Sequence, residues 1–117
     1  MKAIVNTKLI LEEGIIWNGV VLYEDDKILQ LGEASEITIP EGTECIDAQG
    51  LYTAPGLINI HVHGCNGMPL FKEPVKCAQY LLARGETSVL ATGSISFTKE
   101  ELLKLNAQLN RLRKPNK

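Results

Sequence analysis

The stretch Pro55-Gly56-Leu57-Ile58-Asn59-Ile60-His61-Val62-His63-Gly64 holds both histidines of a 117-residue chain, two residues apart within an apolar run. Residues 57–62 are apolar at alternate and intervening positions alike, the pattern of a strand buried on both faces in a parallel sheet covered by helices. Residues two apart in a strand point to one side, so Asn59, His61 and His63 share a face and Ile58, Ile60 and Val62 share the other. Two imidazoles about 6–7 Å apart at their backbones can converge on one divalent ion. A single histidine in a strand is more often a hydrogen-bonded core residue. A pair at the end of a parallel-type strand, followed at once by a glycine loop, points instead to metal binding, because ligands of parallel α/β folds gather at the C-terminal ends of the strands. Gly64-Cys65-Asn66-Gly67 lets the chain turn closely past such a site. Cys65 is near enough in sequence to be weighed as a further ligand, and Asn59 reads as a structural residue of the strand.

On the C-terminal side the pattern alternates strand with helix. Pro74 suits the first turn of a helix running to Arg84, where Gly85 supplies a stop. Residues 87–92 read as a second buried strand, parallel to the first. Thr98-Lys99-Glu100-Glu101 fits a capping box, and Leu102, Leu105, Leu109 and Leu112 mark one face of the helix that follows. On the N-terminal side lie short β-prone runs at 4–11, 19–23, 27–31 and 44–47, with Asn18-Gly19 and Asp25-Asp26 as hairpin turns and Asp47-Ala48-Gln49-Gly50 as a type I turn. These features predict an α/β chain: a small, mostly antiparallel β-domain at 1–54, then a helix-and-strand segment at 55–117.

Composition narrows the function classes. Apolar residues make up 44% and charged residues 22%, ordinary for a globular protein. A net charge of −2, with a basic stretch only at 111–117, argues against nucleic acid as a partner. No run approaches membrane-spanning length and the start does not read as a secretory signal, so no membrane is expected and a cytoplasmic location is. Cys45, Cys65 and Cys77 form no paired framework and read as reduced thiols.

Residues 47–64, DAQGLYTAPGLINIHVHG, resemble the entry into the metal-dependent amidohydrolase superfamily, where a small β-domain leads into the first strand of a (β/α)8 barrel bearing an HxH metal motif. His61-Val62-His63-Gly64-Cys65-Asn66-Gly67, followed by a helix and Gly85-Glu86-Thr87-Ser88-Val89-Leu90-Ala91-Thr92, is most similar to the N-acetylglucosamine-6-phosphate deacetylase family. That resemblance implies the first two βα units of an incomplete (β/α)8 TIM-type barrel and hydrolysis of a linear amide, the N-acetyl group of an amino-sugar phosphate. It further implies a divalent metal ion, zinc first and iron or another metal next, held by His61 and His63. Relatives in this family often carry aspartate where this chain has Asn59. Their remaining ligands, catalytic aspartate and phosphate-binding groups lie on later strands, and a closed barrel takes about 250 residues. No catalytic residue is therefore assigned within 1–117, and the chain alone is expected to be inactive. It is expected to associate with itself or with the missing barrel segments, whether as a truncated gene product, an expressed fragment or one part of a split enzyme. A different amidohydrolase, a dihydroorotase or deacylase, is the alternative within the enzyme class; a non-catalytic, partner-dependent β-module with vestigial histidines is the alternative outside it.

Overall fold

The computed structural model describes residues 1–113, with side chains through Arg111. Leu112 of the expected leucine stripe, and the basic stretch beyond Arg111, lie outside the described side chains. The chain divides into two compact units, Met1–Pro55 and a second that begins at Gly56.

The first unit is a single sheet of β1 (Lys2–Leu11), β2 (Gly14–Glu24), β3 (Lys27–Glu33), β4 (Glu44–Asp47) and β5 (Tyr52–Thr53), in the order β3-β2-β1-β4 with β5 also on β1. β1, β2 and β3 form an antiparallel meander, whereas β4 and β5 run parallel to β1. The sheet is thus mostly antiparallel, as expected, with the short β4 and β5 as a parallel minority on β1. A long connection between β3 and β4 carries the chain back across the sheet, and no hairpin joins them.

The turn chemistry differs from expectation at two places. Asn18-Gly19 lies inside β2 and makes no turn; the β1–β2 hairpin closes at Glu12-Glu13, with Leu11 opposite Gly14. Gly19 is required there for another reason: a Cβ on it would lie 2.4 Å from Leu9 Cγ, at a register irregularity where Thr7 faces Gly19. The second difference concerns residues 47–50. The hydrogen-bonded turn runs one residue later, from Ala48 O to Leu51 N at 2.9 Å, and both of its central residues have positive φ, 52° at Gln49 and 77° at Gly50. That is a type I′ pattern. Asp25-Asp26 does form the β2–β3 turn, with φ of 51° at Asp25.

Asp47 braces this turn. Its Oδ1 accepts the Gln49 N–H at 2.8 Å and the Asn6 Nδ2–H at 2.9 Å. The Gln49 amide first, and the Asn6 amide second, hold the carboxyl below the usual carboxylate range. A depressed folded-state value means the ionised form stabilises the fold above the unfolded carboxyl's titration range, and this stabilisation is lost as pH falls through the folded value. Asp47→Asn is therefore expected to lower the denaturation midpoint at neutral pH and to have no effect once both chains are below that range. Parallel unfolding curves of the two chains, separated by the same amount at pH 7 and pH 2, would contradict this.

The second unit contains β6 (Leu57–Val62), β7 (Gly64–Cys65), β8 (Met68–Pro69), α1 (Pro74–Leu82), β9 (Glu86–Ala91) and α2 (Lys99–Arg113). β6 and β9 pair in parallel across the α1 crossover, and β7 and β8 form a small hairpin. Pro74 opens α1, and Gly85 follows its end with φ of 87°. At α2 the capping box is complete: Thr98 N and Oγ1 donate to Glu101 Oε2 at 2.8 and 2.9 Å, and Glu101 N donates back to Thr98 Oγ1 at 3.3 Å. Val62, Leu70, Cys77, Leu81 and Leu105 form the core, with Leu109 packed against it and Leu102 half exposed. Among the described residues no helix is long and apolar enough to cross a membrane.

One expectation for β6 is overturned. Instead of being buried on both faces, the strand buries only Val62, while Ile58 and Ile60 are 73% and 75% exposed. Among the described residues β6 has β9 as its one sheet neighbour, and the buried core lies at the Val62 end. The apolar composition of the strand calls for more cover than α1 and α2 supply.

Candidate metal centre

His61 and His63 sit at the C-terminal end of β6 and just past it, exposed to solvent, and their rings meet edge to face with centroids 4.8 Å apart. The two Nε2 atoms are 2.9 Å from each other. Zinc–imidazole bonds are about 2.0–2.1 Å, so two nitrogens on one ion stand roughly 3 Å apart, and this pair fits as half of a ligand set. No group of three or more His, Cys, Asp or Glu side chains is placed to hold a metal among the described residues.

The backbone around the pair is fixed by side chains of both strands. Between Asn59 and Val62 the register slips, three steps of β6 facing two of β9 from Val89 to Ala91. Asn59 Oδ1 accepts the His61 N–H at 3.1 Å within this irregular segment. Asn59 Nδ2 in turn donates to Glu86 Oε2 at 2.8 Å. On the other side of His61, Val62 N donates to Thr92 Oγ1 at 3.2 Å and Thr92 N donates to Val62 O at 2.8 Å. At the start of the strand pair Thr87 approaches the backbone closely, so that a Cβ on Gly56 would lie 2.1 Å from its Oγ1. Thr92 therefore grips the C-terminal end of β6, and Thr87 leaves room for no side chain at position 56, roles that sequence reading did not assign to them.

Beyond His63 the chain folds at once into the β7–β8 hairpin. Its two-residue turn is Asn66-Gly67, with φ of 48° and 73°, the conformation that Asn-Gly favours. Gly64 cannot be replaced without moving backbone, since a Cβ there would be 2.2 Å from Met68 O. The hairpin lines a cleft of about 490 Å³ together with His63, Phe71, Phe97, Thr92 and Ser94. Phe71 and Phe97 pack edge to face at 4.9 Å. The size suits a small molecule, and no lysine, arginine or carboxylate lines it. Neither phenylalanine carried a sequence signal, since both lie in irregular segments.

Cys65 also lines this cleft, yet it packs against the core beside Cys77, and its Sγ is 3.7 Å from Cys77 O. Burial, then its neighbour Cys77, pushes its thiol up from the ordinary value, which disfavours the thiolate a metal would need.

Comparison with known proteins fits this architecture. No family model matches the chain. It is 41% identical over 90 residues to a dihydroorotase of Streptococcus pneumoniae, covering 76% of this chain and 21% of that one, and 49% identical over 51 residues to a dihydroorotase of Citrifermentans bemidjiense, covering 44% and 12%. Its fold matches an N-acetylglucosamine-6-phosphate deacetylase from Pasteurella multocida with a TM-score of 0.76 at 22% identity, over 99% of this chain and 32% of that one. The chain thus spans about a fifth or less of the length of the curated relatives it matches. In sequence and in fold it is similar to the N-terminal region of amidohydrolase-superfamily enzymes.

Proposed function

We propose that the chain is the N-terminal part of a metal-dependent amidohydrolase working in the cytoplasm, whose second unit supplies the first two βα units of a (β/α)8 barrel. The observation that carries this is the convergence of His61 and His63 Nε2, 2.9 Å apart, at the C-terminal end of a strand in a parallel pair. A divalent ion held by these two residues, zinc first, would supply an activated water and polarise the amide carbonyl. Asn59 and Thr92 fix the backbone on either side of His61. The cleft beside His63, lined in part by Phe71 and Phe97, takes an uncharged part of the substrate, and the groups that bind charge and move protons come from outside residues 1–113.

For the substrate, sequence similarity favours dihydroorotate, a cyclic amide, since the two sequence relatives described above are dihydroorotases at 41% and 49% identity. A second substrate, an N-acetylated amino-sugar phosphate, is favoured by the Gly64-to-Gly67 loop beside His63, which resembles that of the deacetylases. Supplying the zinc-loaded chain in trans with the remainder of the pneumococcal dihydroorotase, and separately with the remainder of the Pasteurella deacetylase, separates the two. Opening of dihydroorotate in the first mixture alone supports the cyclic amide, and acetate release in the second alone supports the linear one. Zinc binding without turnover in either mixture would overturn the hydrolase assignment. The chain without a remainder is expected to turn over neither substrate.

A further inference from the structure

Glu86 has no role in the hydrolase function described above, yet its carboxylate is tied to the candidate metal centre through one residue. Glu86 Oε2 accepts from Asn59 Nδ2 at 2.8 Å, and Asn59 Oδ1 accepts from the His61 N–H at 3.1 Å. The two bonds use opposite ends of one amide, so each fixes the orientation of the other. With the amide reversed, Oδ1 would face a carboxylate and Nδ2 would face an N–H, and both bonds would be lost. The chain here is β6's irregular segment, where the register with β9 slips between Asn59 and Val62, so neighbouring strand geometry alone holds His61 less firmly than elsewhere in a ladder. Asparagine is also the residue the site demands. An amide alone does both at once, donating to Glu86 Oε2 through Nδ2 and accepting from the His61 N–H through Oδ1.

We propose that Glu86, acting through Asn59, is a positioning residue for His61: it locks the Asn59 amide, which holds the backbone N–H of His61 and with it the imidazole that meets His63. This rests on the assignment of His61 and His63 as the metal pair. Second-sphere partners of metal ligands typically change metal affinity by 10- to 100-fold when removed. Because this one acts at one remove through an amide, the lower end applies.

The test uses the full chain, with zinc titration and amide hydrogen exchange as readouts. Glu86→Ala is expected to weaken zinc binding about tenfold and to remove the exchange protection of the His61 N–H, while protection of the Val62–Thr92 clamp persists as a check that the strand pair is folded. Glu86→Gln keeps an acceptor for Asn59 Nδ2 and is expected to stay within about twofold of the parent in both readouts. Asn59→Leu, which can neither donate to Glu86 nor accept from the His61 N–H, should behave like Glu86→Ala. Parent-like zinc affinity and His61 protection in Glu86→Ala would overturn the proposal. So would equal loss in the alanine and glutamine variants, or parent-like zinc affinity and His61 protection in Asn59→Leu. Should the parent bind no zinc, the metal assignment falls, and the exchange pattern alone decides whether Glu86 holds His61.

Discussion

Zinc binding by the chain is expected to be weak and to vanish when either His61 or His63 is changed to alanine, to the same extent in both variants. The equality follows from geometry. The two Nε2 atoms lie 2.9 Å apart at a common point, and no third His, Cys, Asp or Glu is placed with them among the described residues. An ion held there has two protein ligands, one fewer than catalytic zinc sites usually have, and its other positions fall to water. Removing one imidazole leaves a single exposed histidine, which is no better a site than any surface histidine. Cys65→Ser should leave the titration unchanged, because that thiol is packed beside Cys77 and its deprotonation is disfavoured. Nanomolar binding that survives either histidine change would mean that other residues are the ligands. Loss in His61→Ala with full retention in His63→Ala would mean that the pair does not share an ion.

How much of this was legible in the sequence depended on whether the deciding interaction was local. The capping box at Thr98 and Glu101, Pro74 at the start of α1 and the Asp25-Asp26 turn each depend on residues a few positions apart, and each is present as read. The two Asn-Gly pairs show where local signals end. Asn66-Gly67 turns a hairpin, whereas Asn18-Gly19 continues a strand, because Gly19 is held by the close approach of Leu9 across the sheet. The dipeptide permits a turn; only the partner strand decides. The parallel placement of β4 on β1 was likewise hidden, since it depends on a connection whose path no residue type encodes. At the candidate centre the histidines were legible through their spacing. Glu86 was not: its bond to Asn59 crosses from β9 to β6, and sequence spacing does not show a side-chain contact between strands.

Sedimentation of the chain at micromolar concentration is expected to show species larger than a monomer, and Ile58→Lys with Ile60→Lys is expected to return it to a monomer. The reading of β6 as a strand buried on both faces failed against the observed exposure, but it correctly registered an apolar surface: Leu57, Ile58, Ile60 and Leu90 are all more than 60% exposed on one two-stranded sheet. Fully burying an isoleucine side chain is worth about 1.5–3 kcal/mol. Covering what Ile58 and Ile60 still expose, less the cost of ordering the covering side chains, leaves roughly 1–3 kcal/mol, about 5- to 150-fold in an association constant. Among the described residues β6 also has an unpaired edge, and such an edge beside an apolar face is a template for another strand. Lysines at 58 and 60 oppose both modes, by placing charge on the face and along the edge. They cost little in the folded unit, because neither isoleucine is part of the core around Val62, Leu70, Cys77, Leu81 and Leu105. The double variant should therefore unfold near the parent's midpoint while losing its concentration dependence. A parent chain that sediments as a cooperative, compact monomer over the whole range would show that this surface does not drive association; a lysine variant that remains associated would place the contact elsewhere.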